Sequence, residues 1–280
     1  MKIKTLLLPL ALMLIGGCAA QKKNIENNWI QLFNGKDLAD WTVKIKDHEA
    51  GENYGNTFRV EGGILKVSYD QYNGFKEQYG HIFYNKPFSA YLLEVEYRFT
   101  GNQVAEGPGW AFRNSGMMLH SPAPQTMAKE QDFPISLEAQ LLGGSGSGDR
   151  STGNLCTPGT HVVMNGKLFT PHCVNSTSKT YKGDGWVLAE VLVLSDSVIK
   201  HIIEGDTVLT YTKPQYDGGD KWVKHAGLKG GETIKEGYIS LQSESHPVEF
   251  RKVVLFNLEN YVGNTKKLEA VLEQLRTRQR

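Results

Sequence analysis

Ile135-Ser136-Leu137-Glu138-Ala139-Gln140-Leu141-Leu142, closed by Gly143-Gly144, is the stretch that decides how this chain is read. Polar and apolar side chains alternate along most of it and two glycines end it, which is the pattern of a β-strand. Successive strand side chains point to opposite faces. Ser136, Glu138 and Gln140 therefore share one side, while Leu137, Ala139 and Leu141 share the other. A carboxylate and an amide in mid-strand fit two readings, the floor of a polar, sugar-sized cleft or an ordinary solvated face.

The rest of the chain supports the strand reading. Tyr91–Thr100 sets Tyr91, Leu93, Val95, Tyr97 and Phe99 against Glu94, Glu96 and Arg98, a half-buried strand of an antiparallel sheet. Phe58–Val67 reads as a hairpin around Gly62-Gly63. Val187–Leu194 and Val198–Ile203 pair around Ser195-Asp196-Ser197, and Thr207–Tyr211 follows a Glu204-Gly205-Asp206 turn. Tyr238–Glu244 and Val248–Leu258 close the set. Thirty glycines and ten prolines between short runs fit an all-β chain with many turns. A net charge of +1 over 280 residues gives no footing for nucleic-acid binding, and no phosphate-cradling glycine loop precedes a helix. Gly143–Gly148, set among serines, reads as a flexible loop.

The two ends differ from this middle. Residues 1–18 have a basic head at Lys2 and Lys4, an apolar core from Leu6 to Ile15, and small residues before Cys18. This is a targeting segment that resembles the bacterial lipoprotein signal, in which Cys18 is lipidated and becomes the mature N-terminus. The expectation is a protein of the bacterial cell envelope, lipid-anchored to the membrane and periplasm-facing, because no acidic run follows Cys18. Residues 19–28 form a polar tether, 29–260 the domain, and 261–280 a helical tail. In that tail Leu268, Val271, Leu272 and Leu275 make an apolar stripe, expected to pack on the sandwich or a second subunit.

Leu32-Phe33-Asn34-Gly35-Lys36-Asp37-Leu38, Trp41 and Phe58–Leu65 resemble the opening of the 3-keto-disaccharide hydrolase-like domain family. Asn114–His120, the strand with Glu138 and Gln140, and Gly237–Gln242 with Val248–Arg251 continue the similarity in order, from about Trp29 to Leu258. The resemblance implies a concanavalin A-like jelly-roll β-sandwich of two antiparallel sheets with a cleft on the concave one. It also implies cleavage of glycosides whose sugar carries a ketone at carbon 3. Two features depart from the family: His120 stands where Arg is common, and the cysteine-bearing insert Asn154–Gly185 is not general.

Such a ketone acidifies the hydrogen at carbon 2, so that a base can remove it and the substituent at carbon 1 can leave. Glu138 or His120 is the expected base, with Gln140 beside them. Asn114, Gln140 and Gln242 are candidate hydrogen-bonding partners for hydroxyls, and Arg113 for an oxyanion. Trp110 fits either a stacking platform or a core position. Glu244 and His246 lie at a strand end, where loops line clefts. A divalent metal on carboxylate and histidine is left open by this spacing. Cys156 and Cys173 are expected to form a disulfide in an exported protein, the rival being a metal site with His161 and His172. A retaining glycosidase would need Glu-x-Asp-x-x-Glu, with carboxylates about 5 Å apart. Here Glu138-Ala139-Gln140-Leu141-Leu142-Gly143 lacks the second and third acids. A non-catalytic carbohydrate-binding module on the same fold is the alternative.

Overall fold

Alternation of this kind gives each strand one apolar face, and two such sheets bury those faces against each other. In the computed structural model, which describes residues 28–278, that is the arrangement found. The strands are β1 (Trp29–Gln31), β2 (Trp41–Ile45), β3 (Phe58–Glu61), β4 (Ile64–Val67), β5 (Gly80–Tyr84), β6 (Ala90–Phe99), β7 (Asn114–Ser121), β8 (Leu137–Leu142) and β9 (Asn154–Cys156). They continue with β10 (Thr160–Met164), β11 (Lys167–Phe169), β12 (Cys173–Val174), β13 (Val187–Leu194), β14 (Val198–Ile203) and β15 (Asp206–Tyr216). A short helix α1 (Lys221–His225) precedes β16 (Tyr238–Ser243) and β17 (Val248–Asn257), and helix α2 (Thr265–Arg278) follows.

A ten-stranded sheet runs β11-β10-β15-β14-β13-β6-β17-β4-β3, with β1 added on β17. A seven-stranded sheet runs β12-β9-β8-β7-β16-β5-β2. All registered pairs are antiparallel, and the fold is a jelly-roll sandwich with one C-terminal helix. Tyr91, Leu93, Val95, Tyr97 and Phe99 of β6 meet Leu137, Ala139 and Leu141 of β8 in the core between the sheets. The hairpin over Phe58–Val67 and the β13–β14 pair stand where the alternation puts them.

The tail packs on the sandwich. Val271 and Leu275 of α2 are buried against Ala90, Leu92, Leu192, Leu194, Phe256 and Leu258, on the outer side of the larger sheet. The cysteine-bearing insert is more regular than a stapled loop. Its β10 pairs with β15, which extends that strand to Tyr216, five residues beyond the alternating run Thr207–Tyr211. The Cys156–Cys173 disulfide is formed, and the two residues are direct cross-strand partners on β9 and β12. The targeting segment, Cys18 and the tether up to residue 27 lie outside the described residues.

Candidate active site

With Leu137, Ala139 and Leu141 turned into the core, Glu138 and Gln140 must face the other side of the smaller sheet. Register then assembles the floor strand by strand. Gln140 lies opposite Asn154 on one side and Gly116 on the other; Glu138 lies opposite Cys156 and Met118. Ser240 faces Met118, so Gln242 falls beside Gly116. Gln242 in turn faces His81, and His81 faces Lys44. A polar line therefore crosses six strands, interrupted by one glycine.

That glycine is where the carboxylate lies. A Cβ on Gly116 would stand 2.6 Å from Glu138 Oε1 and 2.8 Å from its Cγ, so any larger residue would push Glu138 off the floor. Loops close over the rest. Phe133 sits with its ring centroid 6.0 Å from His81 and 4.9 Å from Tyr79. Trp110 stacks on Tyr79 at 6.0 Å and 18°, and is 55% exposed.

The electrostatics of this floor are unusual. Burial drives the Glu138 carboxyl up to about 8. Glu244, just past β16, is raised well above the carboxylate range by burial and then by Glu138, with Arg150 opposing. Two buried carboxyls that repel each other cannot both ionise cheaply, so the pair holds a proton near neutral pH. Around it, Glu138 Oε1, Glu244 Oε2, both amide atoms of Gln242, both ring nitrogens of His81, Ser240 Oγ and Asn114 Oδ1 have no hydrogen-bond partner among the described residues. His81 is fully buried and pushed down to about 3 by desolvation and then by Lys44, so its imidazole is neutral. Lys44 is held by the carbonyls of Ile45 and Lys129 at 3.0 and 2.9 Å. Buried polar atoms are normally paired, and a concentration of unpaired ones marks groups held ready for a ligand.

The structure brings together Glu138, Gln140, Asn114, Gln242 and Glu244. Gln140 Oε1 accepts from Asn154 Nδ2 at 3.2 Å, and Trp110 stands at the rim rather than in the core. His120 does not join them. An extra residue on β7 opposite β16 forms a bulge at a positive φ of 56°, which turns its ring toward the larger sheet. There it meets Tyr91 edge-on, and its Nε2 lies 3.4 Å from the Ser195 carbonyl. Buried and lowered to about 4 by desolvation, it stands apart from the polar floor, on the side of Tyr91 and Ser195.

His246 is lowered to about 4 by burial and then by Arg113 and Arg150, and neither of its ring nitrogens has a hydrogen-bond partner among the described residues. Arg113 donates to the Gly183 carbonyl at 2.5 Å, and His246 packs edge-on between Phe99 and Phe112. Sequence reading missed His81, Lys44, Asn154 and Arg150. His81 and Lys44 alternate with apolar residues on β5 and β2, so the signal was present, but only register puts them beside Gln242. Arg150 comes from the glycine-serine loop, where no periodicity marks it. Its guanidinium donates to the carbonyls of Phe112, Arg113, Gly143 and Trp110, tying the rim loops together. The metal rival at the cysteines fails. Among the described residues Cys156, His172 and Cys173 are the one trio of metal-type ligands close enough together, and two of them are spent in the disulfide.

Residues 28–255 match the model of the 3-keto-alpha-glucoside-1,2-lyase-like domain. The chain belongs to that family. Among solved structures it is similar to a candidate glycosyl hydrolase from Parabacteroides distasonis ATCC 8503, with 19% identity, a TM-score of 0.50, and coverage of 85% of this chain and 97% of that one. A Bacillus licheniformis beta-glucanase (12% identity, TM-score 0.45, coverage 82% and 96%) and the carbohydrate-binding module CBM66 from Bacillus subtilis (11%, 0.40, 76% and 93%) are more distant. No curated protein matches. Membership of the lyase-like family makes this a carbohydrate-related domain.

Proposed function

We propose that this protein cleaves 3-keto-glycosides on the concave face of the smaller sheet, by elimination across carbons 1 and 2. The observation that carries the reading is the Glu138–Glu244 pair, two buried carboxyls holding one proton among unpartnered polar atoms. In its ionised form one carboxylate takes the proton from carbon 2. The electron pair left there is delocalised onto the ketone oxygen at carbon 3, then forms the C1=C2 double bond as the C1–O bond breaks. The departing oxygen takes its proton from the protonated partner, so one pair supplies base and acid. Gln242, Asn114 and the neutral His81 face the sugar with their unpaired atoms, and Trp110 offers its ring at the rim.

If a divalent metal binds here, Glu138, Glu244 and the amide oxygen of Gln242 are the oxygens that would hold it. It would neutralise the pair and polarise the ketone. The envelope location and the lipid anchor at Cys18 belong to the same proposal and rest on the targeting segment.

A carbohydrate-binding module needs hydrogen bonds and a stacking ring, but not two buried carboxyls with raised pKa values. The test is to incubate the protein with 3-keto-glucosides and their unoxidised parents, with and without chelator. Cleavage of the keto forms alone, giving an unsaturated keto sugar, is expected, and loss of activity with chelator would assign the metal. Binding without turnover in both series would leave a recognition module.

A further inference from the structure

Helix α2 lies on the outer side of the larger sheet, across the sandwich from the polar floor, with Val271 and Leu275 buried beneath it. Its other side is open to solvent, where Lys266, Lys267, Ala270, Glu273 and Arg276 are exposed. The charges on it run against the helix's own dipole. Asn264 accepts from the Lys267 amide at 3.1 Å, a cap that puts Lys266 and Lys267 in the first turn. No acidic residue shares that turn, and cations are disfavoured at the positive pole of a helix. Among the described residues the ion pair of this helix is Arg276 with Glu273 at 3.3 Å, which leaves both lysines without a carboxylate. Such a breach of local preference, with no compensation inside the fold, is what a partner outside it would explain.

The charge is also unevenly shared along the chain. Residues 265–280 hold five basic and two acidic side chains, a net +3, whereas residues 29–264 stand at −5. The start of the domain lies beside the basic tail. Trp29 packs into the cluster beneath α2 and meets Phe256 edge-on at 5.3 Å. Asn28 Nδ2 donates to the Tyr261 hydroxyl at 3.0 Å, just before the helix. Ten residues separate Asn28 from Cys18, a reach of no more than roughly 35 Å.

We propose that the outward side of α2 docks on an anionic lipid headgroup layer, that of the membrane holding Cys18, so that the polar floor opens away from the bilayer. The inference rests on the lipid anchor assigned to Cys18 and goes beyond it by saying which side of the domain meets the membrane. Lys266, Lys267 and the basic end of the tail are drawn to the surface, while the acidic sandwich is repelled from it. Glu269 and Glu273 keep the helix on the headgroups rather than among the acyl chains. Held this way, the floor meets substrates that arrive from solution, not groups attached to the same membrane.

The test uses the full lipidated protein in vesicles of phosphatidylcholine, with or without phosphatidylglycerol, that carry a spin-labelled headgroup as quencher. A fluorophore is placed on α2 by Ala270→Cys or at the floor's rim by Trp110→Cys. With Cys156 and Cys173 in their disulfide and Cys18 lipidated, each variant has one free thiol. In the phosphatidylglycerol vesicles, quenching is expected to be about threefold or more stronger from α2 than from the rim. Lys266→Glu with Lys267→Glu should remove most of that difference, as should roughly 0.5 M salt. Equal quenching at the two positions, or a difference that the charge reversal leaves unchanged, would overturn the orientation. A dimer in detergent that hides position 270 would overturn it as well, by giving α2 to a second copy of the chain. The mass of the mature N-terminus reads the anchor separately. An unmodified Cys18 sinks the anchor and this inference together, whereas a lipidated Cys18 with equal quenching sinks the orientation alone.

Discussion

The outer face of the larger sheet and the polar face of the smaller one carry similar charged residues under opposite conditions. On the outer face every carboxylate of β6 has a partner: Glu94 with Lys252 at 2.5 Å and Glu96 with Arg251 at 2.6 Å, while Glu249 of β17 takes Arg98 at 2.6 Å. Arg98 and Arg251 also flank the Trp186 ring at 4.5 and 4.6 Å. On the polar face of the smaller sheet Glu138 and Glu244 are buried, with atoms that have no hydrogen-bond partner among the described residues, and His81 has none at either nitrogen. The histidines repeat the lesson inside one molecule. His201, equally buried, bonds the Gly153 carbonyl and the Tyr211 hydroxyl at 2.9 and 3.0 Å. Partners were available to this fold, so the unpaired set on this floor is open to a ligand.

The largest expected effect breaks the comparison directly. Glu138→Gln and Glu244→Gln keep size and shape but remove the titrating group, and each should lower kcat/KM on a 3-keto-glucoside by roughly 10²- to 10⁴-fold. Lys252→Ala, across the sandwich, should leave that number within about twofold. Equal losses from both faces would mean that activity reports overall folding rather than the floor.

Next comes the edge of the smaller sheet. Cys156→Ser with Cys173→Ser opens a link across 17 residues of sequence and should cost about 2–4 kcal/mol in urea unfolding. Reduction of the wild type should match it.

A smaller effect concerns pH. The Glu138 pKa is raised from 4.5 to about 8, so its protonated form stabilises the fold below pH 4.5, and that contribution is lost as pH rises toward 8. Glu138→Gln should therefore melt higher than the wild type at pH 8, with the difference shrinking toward pH 4.5. The buried histidines act with the opposite sign. His81 is lowered to about 3 and His201 to about 4, so stability present above pH 6.5 is lost as pH falls toward those values. A melting temperature for Glu138→Gln that tracks the wild type at every pH would remove the strain assigned to this carboxyl.

The smallest effect is on the outer face. Arg251→Ala should change stability by less than about 1 kcal/mol, because the partly exposed Arg251–Glu96 pair gains little over water. A larger loss would show that the outer ladder is not a solvated surface.

Much of this was legible in the residues. The alternation of Tyr91–Phe99 and of Leu137–Leu142 sorted core from surface, and the apolar stripe of the tail placed α2 against the sheet, because burial obeys periodicities of 2 and 3.6. The chain's own pattern also singled out Glu138, Gln140 and Gln242, polar residues at strand positions where the opposite face is core. Tertiary structure alone decided what stands beside them. His81, Lys44 and Arg150 are far from Glu138 in sequence, and only inter-strand register or a loop crossing brings them to one floor. It also removed His120, since one inserted residue in β7 reverses the direction in which a period-2 argument points its side chain. Periodicity is a property of one strand and can be read along the chain, whereas a site is a property of neighbours, which are set by register, bulges and the loops that close over them.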